Sequence, residues 1–301
     1  MPSYTIHKHS LAAQYQKSNP KHYPIQVIKN HPIVKLLDKV YDYYLSHAKY
    51  HCILWTIDQI LNAHPPTDTL LDELQQASAA LESAAPLEIL QWAVEQYAPN
   101  FAMATAFGPE GMTMIYMLSQ FAPETPIFNL DTGYQFQETL DLRDQVKSRY
   151  GMDVRLAKPA LDVAQYEDLN GGPVYKSNPS QCCYDRKLSL LEQVASELQC
   201  WSSAIRRDQS PDRATAPIVG WDTKFGLIKV SPLANSTKAD IWKMITDNNI
   251  PYNPLHDKGY PSIGCWPCTR KISLGEDERA GRWSGTAKTE CGLHSIDKNE
   301  N

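Results

Sequence analysis

Four of the seven cysteines form two pairs whose spacing suits a shared metal centre. Cys182 and Cys183 are adjacent, and Cys265 and Cys268 form a C-x-x-C pair on a loop that contains glycine and proline. Together they offer four thiolates, a ligand set that suits zinc or an iron–sulfur cluster. Adjacent side chains diverge, so they reach separate irons of a 4Fe-4S cube more easily than one tetrahedral zinc ion. The spacing favours a cluster, while a vicinal disulfide with a redox pair, or buried thiols, remain alternatives.

A fifth cysteine, Cys291, lies next to a glycine in a polar segment, with Lys288 and His294 close in sequence. Nearby cationic groups favour the thiolate, which is the nucleophilic form of cysteine. The residues themselves leave open whether Cys291 is a nucleophile or an incidental cysteine of the tail. Cys52 and Cys200 have no comparable context, and we interpret them as packing residues.

Basic residues occur in three groups that could hold an anion. The groups are Arg206, Arg207 and Arg213; Arg186 and Lys187; and Arg279 and Arg282. Arginine offers bidentate hydrogen bonds to phosphate or sulfate oxygens. A single group of basic residues more often lies on a solvated face of the protein. Three such groups in an acidic chain favour a substrate with several negative charges.

The loop at residues 105–111 joins an apolar, strand-like run to a helical segment. It begins at Thr105 and contains Gly108 and Gly111. Backbone N–H groups of such a loop, together with the N-terminus of the following helix, can hold a phosphate. The loop has neither the Lys-Ser/Thr of a Walker A sequence nor the G-x-G-x-x-G pattern, so a phosphate cradle and a plain tight turn both remain open.

The next strand-like run ends in Asp131, Thr132 and Gly133. In open α/β folds ligands bind at the carboxyl ends of the strands. The Asp131 carboxylate and Thr132 hydroxyl could hold a ribose or a base there, or could cap the following helix. We favour the interpretation that these side chains bind a ligand.

Strand-like and helical segments alternate from residue 86 onward. The strand-like segments are residues 101–107, 126–130, 154–157, 200–205 and 227–230, and the helical ones are residues 87–97, 112–121, 135–150 and 188–198. This alternation predicts an α/β fold, with a parallel sheet covered by helices on both faces. We divide the chain into a helical N-terminal extension (residues 1–85), a nucleotide-binding and cysteine-bearing domain (residues 86–275) and a mobile C-terminal tail (residues 276–301).

Composition excludes several classes of protein. With 29 Lys and Arg against 34 Asp and Glu, the net charge is −5, which argues against a nucleic-acid coat protein. An apolar content of 42% is that of a globular protein, and no run is long enough to span a bilayer. We find no secretory signal, and the odd number of cysteines favours a reducing compartment, so we predict a cytoplasmic location. These patterns are compatible with a homo-oligomer.

Five motifs, in this order, resemble assimilatory sulfonucleotide reductases, and more narrowly the cluster-containing adenosine 5′-phosphosulfate reductases. They are residues 182–187, 206–211, 253–256, 259–269 and 290–294. The resemblance covers residues 86–294 and leaves the N-terminal extension without a role. It implies a Rossmann-like sheet of the adenine-nucleotide alpha-hydrolase type.

The resemblance also implies a role for each matched residue. One 4Fe-4S cluster per chain would be bound by Cys182, Cys183, Cys265 and Cys268. Lys187 would lie between the cluster and the substrate's sulfate. The other substrate-binding residues would be Arg206, Arg207, Arg213, Arg279, Arg282, Thr105, Gly108, Asp131, Thr132 and Gly133. Cys291 would be the nucleophile, with His294 helping to seat it.

The implied activity is reduction of adenosine 5′-phosphosulfate to sulfite and AMP during sulfate assimilation for cysteine biosynthesis. Cys291 would carry an S-sulfocysteine intermediate, which thioredoxin or a glutaredoxin-like donor would resolve. The loop at residues 105–111 also resembles that of 3′-phosphoadenosine 5′-phosphosulfate reductases, so that substrate, or dual specificity, is the alternative. A more distant alternative is an ATP-dependent tRNA-thiolating enzyme, although the loop lacks its S-G-G-x-D-S pattern. A non-catalytic redox regulator is the alternative from another class.

Overall fold

The computed structural model describes residues 65–286, 288, 290, 292 and 293. Most of the predicted N-terminal extension, together with Cys52, Cys291 and His294, lies outside this part of the chain. The described residues from Pro66 onward belong to one compact unit. None of the described helices is long and apolar enough to cross a bilayer.

Strands and helices alternate through most of the described chain. The strands are β1 (Phe101–Ala104), β2 (Ile127–Leu130), β3 (Val154–Ala157), β4 (Cys200–Ser202), β5 (Val219–Asp222) and β6 (Leu227–Val230). The helices are α1 (Asp68–Ala80), α2 (Pro86–Tyr97), α3 (Pro109–Phe121), α4 (Gln137–Tyr150), α5 (Val163–Leu169), α6 (Val174–Ser177), α7 (Pro179–Cys183), α8 (Ser189–Ala195) and α9 (Lys238–Asp247). Each strand and helix predicted from residue 86 onward is present, with bounds that shift by a few residues.

These strands form one sheet in the order β3-β2-β1-β4-β6-β5. Pairing is parallel except between β5 and β6. The strand order reverses between β1 and β4, which is the point where open α/β sheets bind their ligands. Met103 of β1 is aligned with Ile127 of β2 and Ser202 of β4, so these three strands end at the same edge.

Apolar side chains cover both faces of the sheet. Met103 packs in one cluster with residues of α2, α3, α4 and α9, and its neighbour Ala102 packs on the opposite face with residues of α8. Successive residues of a strand point to opposite faces, so a strand buried on both sides is apolar throughout. The predicted sheet with helices on both faces is therefore confirmed.

Five elements were not expected from the sequence, namely α5, α6, α7, β5 and α9. The antiparallel edge strand β5 begins after Pro217 and contains Gly220, so its residues lack the apolar run of a buried strand. Helix α9 begins at the N-cap Thr237, whose side-chain oxygen accepts a hydrogen bond from the Asp240 N–H. Its apolar residues Ile241 and Ile245 complete the core beside α3.

Helix α1, which the sequence places in the N-terminal extension, packs against the sheet. Leu74 is only 4% exposed and lies in a cluster with Phe101 of β1. The Ser78 hydroxyl accepts hydrogen bonds from the backbone N–H groups of Ile218 and Val219, at 3.1 and 3.3 Å. Residues of α1 therefore contribute to the compact unit, while the three-part division of the chain stays a prediction.

This packing predicts different outcomes for two truncations. A chain that begins at Pro66 keeps α1 and should fold, since the unit from this residue onward holds its own core. A chain that begins at Pro86 loses Leu74 and the Ser78 hydrogen bonds, and should be less stable by about 3 kcal/mol or more. Thermal unfolding of both chains is the measurement. Equal melting temperatures would show that α1 adds nothing to the fold.

Candidate active site at the carboxyl edge of the sheet

The four paired cysteines line one pocket. They share it with Thr132, Tyr134, Tyr175, Pro179, Arg186, Lys187, Pro267, Arg282 and Trp283. Cys182 and Cys183 end helix α7, which Pro179 begins and the Asn178 side chain caps. The structure therefore brings the two cysteine pairs together, as the sequence predicts.

Local backbone contacts fix the C-x-x-C pair against the sheet edge. The Trp266 N–H donates to the Tyr134 carbonyl at 2.8 Å. Cys265 and Gln135 form an isolated antiparallel β-bridge. A short 3-10 turn, Trp266–Cys268, follows, and Cys265 and Cys268 both line the pocket. The loop is thus held by the segment that follows β2.

Burial and the neighbouring sulfurs oppose ionisation of two of these thiols, Cys182 and Cys268. Burial raises the pKa of the Cys182 thiol to about 12, and the neighbouring sulfurs add to this rise, whereas Arg186 opposes it. Burial and the neighbouring sulfurs also raise the pKa of Cys268, whereas Lys187 and Arg282 oppose that rise. Four sulfurs close enough to repel one another, with three cations around them, suit a group that binds thiolates.

None of the residues that line this pocket carries a carboxylate. In the part of the chain that the structure describes, no three His, Cys, Asp or Glu side chains are grouped as a site for a single metal ion. None of these four cysteines is in a disulfide bond.

Arg186 connects the cysteine pocket to the end of β2. Its side chain is buried, at 2% exposure for the residue, and its guanidinium lies 5.4 Å from the Tyr134 ring and 5.0 Å from the Tyr166 ring. Its Nε donates to the Thr132 carbonyl at 2.5 Å, and the Thr132 hydroxyl lies 3.3 Å from the Cys265 sulfur. The sequence placed Arg186 among the basic groups but gave it no such structural role.

The turn after β2 requires a glycine. Gly133 has φ +77°, and a Cβ there would lie 2.7 Å from Val163 and 3.0 Å from the Arg186 guanidinium. The Asp131 carboxylate accepts from the Gly133 N–H at 3.0 Å and lies 3.4 Å from the Lys158 ammonium. Asp131 therefore stabilises its own turn, and its contact with a ligand stays a prediction.

The loop at residues 105–111 is a tight connection into α3. The Thr105 hydroxyl accepts from the Phe107 N–H at 2.9 Å, and Gly108 is the residue that precedes the helix. A Cβ at Gly111 would lie 2.7 Å from the Thr105 hydroxyl, so the loop closes only with a glycine there. This geometry leaves the N-terminus of α3 at the carboxyl edge of β1.

The adjacent arginines after β4 have different partners. Arg206, which is buried, pairs with Glu110 in the first turn of α3 and with Asp208 at 2.9 Å. Arg207 instead pairs with Glu82, beyond α1, and its Nε donates to the Ala216 carbonyl at 2.8 Å. Arg206 is thus next to the loop before α3, whereas the substrate contact expected of Arg207 stays a prediction.

The remaining predicted arginines lie on the C-terminal segments. The Glu290 carboxylate pairs with Arg213 at 2.9 Å and with Arg279 at 3.2 Å. Arg282 lies over the Trp283 ring at 4.5 Å and packs on Gly264, where any Cβ would overlap its guanidinium. The Glu290 contacts were not anticipated, because the motif at residues 290–294 predicts no partner for its glutamate.

The comparisons with known proteins agree with one another. A profile of the phosphoadenosine phosphosulfate reductase domain matches residues 100–271. The chain is 46% identical over 211 residues to adenosine 5′-phosphosulfate reductase of Oceanobacillus iheyensis, covering 70% of this chain and 88% of that protein. It is 41% identical over 244 residues to the protein of the same name from Staphylococcus epidermidis, covering 81% of this chain and 99% of that protein.

A solved structure shares the fold. It is phosphoadenylyl-sulfate reductase from Candida auris in a phosphate complex, at 28% identity and a TM-score of 0.59. The match covers 68% of this chain and 98% of that one. Fold, motif order and sequence identity lead to one conclusion: the chain belongs to the phosphoadenosine phosphosulfate reductase family.

Proposed function

We propose that this chain reduces adenosine 5′-phosphosulfate to sulfite and AMP, with thioredoxin or a glutaredoxin-like protein as the electron donor. The observation that carries the proposal is the pocket of four cysteines that abuts Thr132 at the carboxyl edge of β2. Curated relatives at 41–46% identity bear the name of this activity. The cytoplasm, where thiols stay reduced, suits such a reaction.

The cysteine pocket suits one 4Fe-4S cluster, bound by Cys182, Cys183, Cys265 and Cys268. The fit is one of chemistry: all four donors are sulfur, and Arg186, Lys187 and Arg282 line the same pocket. When bound, the cluster would supply an anionic group beside the substrate site, with the electrons for reduction coming from thiols. Lys187 would lie between the cluster and the sulfate and offset the repulsion between them.

The nucleotide would lie across the ends of β1 and β2. The turn that contains Thr132 and the loop with Thr105 and Gly108 would hold its ribose and phosphate, where the N-terminus of α3 favours an anion. Arg206, Arg279 and Arg282 would provide guanidinium groups for the phosphate and sulfate oxygens. Such cations also reduce the repulsion that an incoming thiolate meets from the anionic sulfate.

The reaction would proceed in two displacements. The Cys291 thiolate attacks the sulfate sulfur, the bond from that sulfur to the bridging oxygen breaks, and AMP leaves with the electron pair. A thioredoxin thiolate then attacks the Cys291 sulfur and releases sulfite, and the second thioredoxin thiol resolves the mixed disulfide. His294 would help to seat the tail. Two thiols are oxidised to one disulfide for each sulfate reduced to sulfite.

Sulfite release from two nucleotides tests the substrate. The Candida auris structure belongs to an enzyme named for the 3′-phosphorylated nucleotide, so both nucleotides are compared under anaerobic conditions with thioredoxin. We expect kcat/KM to favour adenosine 5′-phosphosulfate by about two orders of magnitude or more, because an unpaired 3′-phosphate needs its own cationic site. Comparable values would indicate dual specificity. No release from either nucleotide would contradict the proposal.

Replacement of the nucleophile tests the mechanism. Cys291→Ser should lower sulfite release by at least about 10³-fold, because an alcohol does not replace a thiolate in this displacement. The matched control is Cys200→Ala, which removes a buried thiol of the core and should leave kcat nearly unchanged. Retained turnover in Cys291→Ser would refute the covalent intermediate.

Metal analysis tests the cofactor. Protein purified without oxygen should be brown and contain about four irons per chain. Cys268→Ser should lower the iron content, because it removes one sulfur from the pocket, while the fold measured by circular dichroism should persist. Colourless protein with one zinc per chain would contradict the cluster assignment without contradicting the fold.

A further inference from the structure

A single π-helical turn, Tyr184–Leu188, joins α7, which bears the adjacent cysteines, to α8. Its wide hydrogen bond runs from the Ser189 N–H to the Tyr184 carbonyl. Turns of this kind are rare in proteins and are frequent at functional sites. Arg186 and Lys187, which line the cysteine pocket, belong to this turn. Contacts that hold the turn therefore also hold these two cations beside the sulfurs.

Asp185 fastens the turn through both of its carboxylate oxygens. Its Oδ2 atom accepts from the Tyr166 hydroxyl of α5 at 2.6 Å. Its Oδ1 atom accepts from Gln181 Nε2, one turn earlier in the chain, at 2.7 Å. Hydrogen bonds to a carboxylate are about twice as strong as those between neutral groups. The segment that carries Cys182 and Cys183 is therefore attached to α5.

The next residue of α5 fastens the other cysteine pair. The Glu167 carboxylate accepts from the Tyr134 hydroxyl at 2.7 Å, and the Tyr134 carbonyl accepts from the Trp266 N–H at 2.8 Å. Trp266 lies between Cys265 and Cys268 in sequence. Two successive residues of one helix thus contact the two segments that supply the four sulfurs.

The rings of the two tyrosines pack beside these segments. Tyr134 and Tyr166 are 2% and 6% exposed and share a cluster with Cys182, against which Cys265 also packs. The Arg186 guanidinium lies 5.4 Å from the first ring and 5.0 Å from the second. A change of either tyrosine to phenylalanine therefore removes the hydroxyl and leaves the packing of the ring.

The distance between the two cysteine pairs needs a contact that spans both segments. Each pair is positioned by its own short turn, at the end of α7 and at Trp266–Cys268. The ligands of a shared metal centre must lie at fixed distances from one another, and groups outside the ligand set keep them there. Helix α5 provides such groups, since it holds one pair through Asp185 and the other through Tyr134.

We propose that Tyr166 and Glu167 are positioning residues that set the distance between the two cysteine pairs. Tyr166 acts through Asp185, and Glu167 acts through Tyr134. The consequence for a bound cluster, slower loss of iron, rests on the proposed cofactor. The attachment of the two segments to α5 does not.

Amide hydrogen exchange in the full chain tests the two attachments separately. Tyr166→Phe should speed exchange about tenfold in residues 184–189, because one hydrogen bond to a carboxylate is lost, and should leave residues 266–269 unchanged. Glu167→Leu should have the opposite pattern. Glu167→Gln keeps an acceptor for the tyrosine hydroxyl, so its exchange should lie between that of the wild-type chain and that of Glu167→Leu.

Tyr116→Phe and Asp168→Asn are the matched controls. The first removes a hydroxyl of α3 that donates to Asn248 at 2.8 Å, and the second alters an exposed carboxylate of α5 itself. Neither should change exchange in either segment. Faster exchange in both segments of Tyr166→Phe, or in the controls, would indicate a general loss of stability and overturn the proposal. Unchanged exchange in Tyr166→Phe and Glu167→Leu would overturn it as well.

Iron release to a chelator tests the consequence in the metal-bound protein. Without oxygen, Tyr166→Phe and Glu167→Leu should each lose iron on the order of tenfold faster than the wild-type chain, whereas Tyr116→Phe should not. Equal rates in all four chains, or an equal rise in the control, would overturn the proposal. If the wild-type chain holds no iron, the proposed cofactor fails, and the exchange pattern still decides whether α5 holds the two pairs.

Discussion

The hydrogen bond from Arg186 to the Thr132 carbonyl is the contact on which the arrangement of the site depends. A buried guanidinium needs compensation, and here it receives carbonyl oxygens and the faces of two tyrosine rings. The tyrosine hydroxyls donate in turn to Glu167 and Asp185, which fixes both rings. The end of β2 and the cysteine pocket consequently hold a common geometry, and neither can shift without the other.

The order of strands explains why distant segments meet here. The chain builds β1, β2 and β3 outward in one direction and then adds β4 on the other side of β1. Loops from both halves of the chain therefore converge at one edge, where Glu110 from the first half meets Arg206 from the second. The polar groups that the proposed reaction needs come from these loops, while the apolar strands and helices beneath them hold the edge rigid.

Local patterns in the sequence predicted the parts of the site that depend on a few adjacent residues. The two cysteine pairs share a pocket because each pair is positioned by its own short turn, which sequence spacing reveals. The contact of Arg207 with Glu82 and that of Arg213 with Glu290 were not predictable. The two partners lie 125 positions apart in sequence in the first contact and 77 in the second. Spacing carries no information about such pairs, and an arginine looks the same whether it meets a substrate or a carboxylate.

The same distinction applies to the fold. Apolar runs predicted β1 and β2 because both faces of a central strand are buried. Strand β5 was missed because an edge strand needs fewer apolar residues, and its stability comes from pairing with β6 and from α1. Helix α9 carries its apolar residues on one side only, and a short amphipathic segment between loops is easily read as a connection.

The Ser78 hydroxyl has a further consequence for the molecule in a crowded solution. Backbone N–H groups at the open side of a sheet invite strands of other molecules to pair with them, which is a common route to aggregation. By accepting from the N–H group of Val219, the first residue of β5, the serine occupies a donor that an incoming strand would use. A single hydroxyl on α1 thus makes the start of the antiparallel edge strand a poorer template for intermolecular pairing.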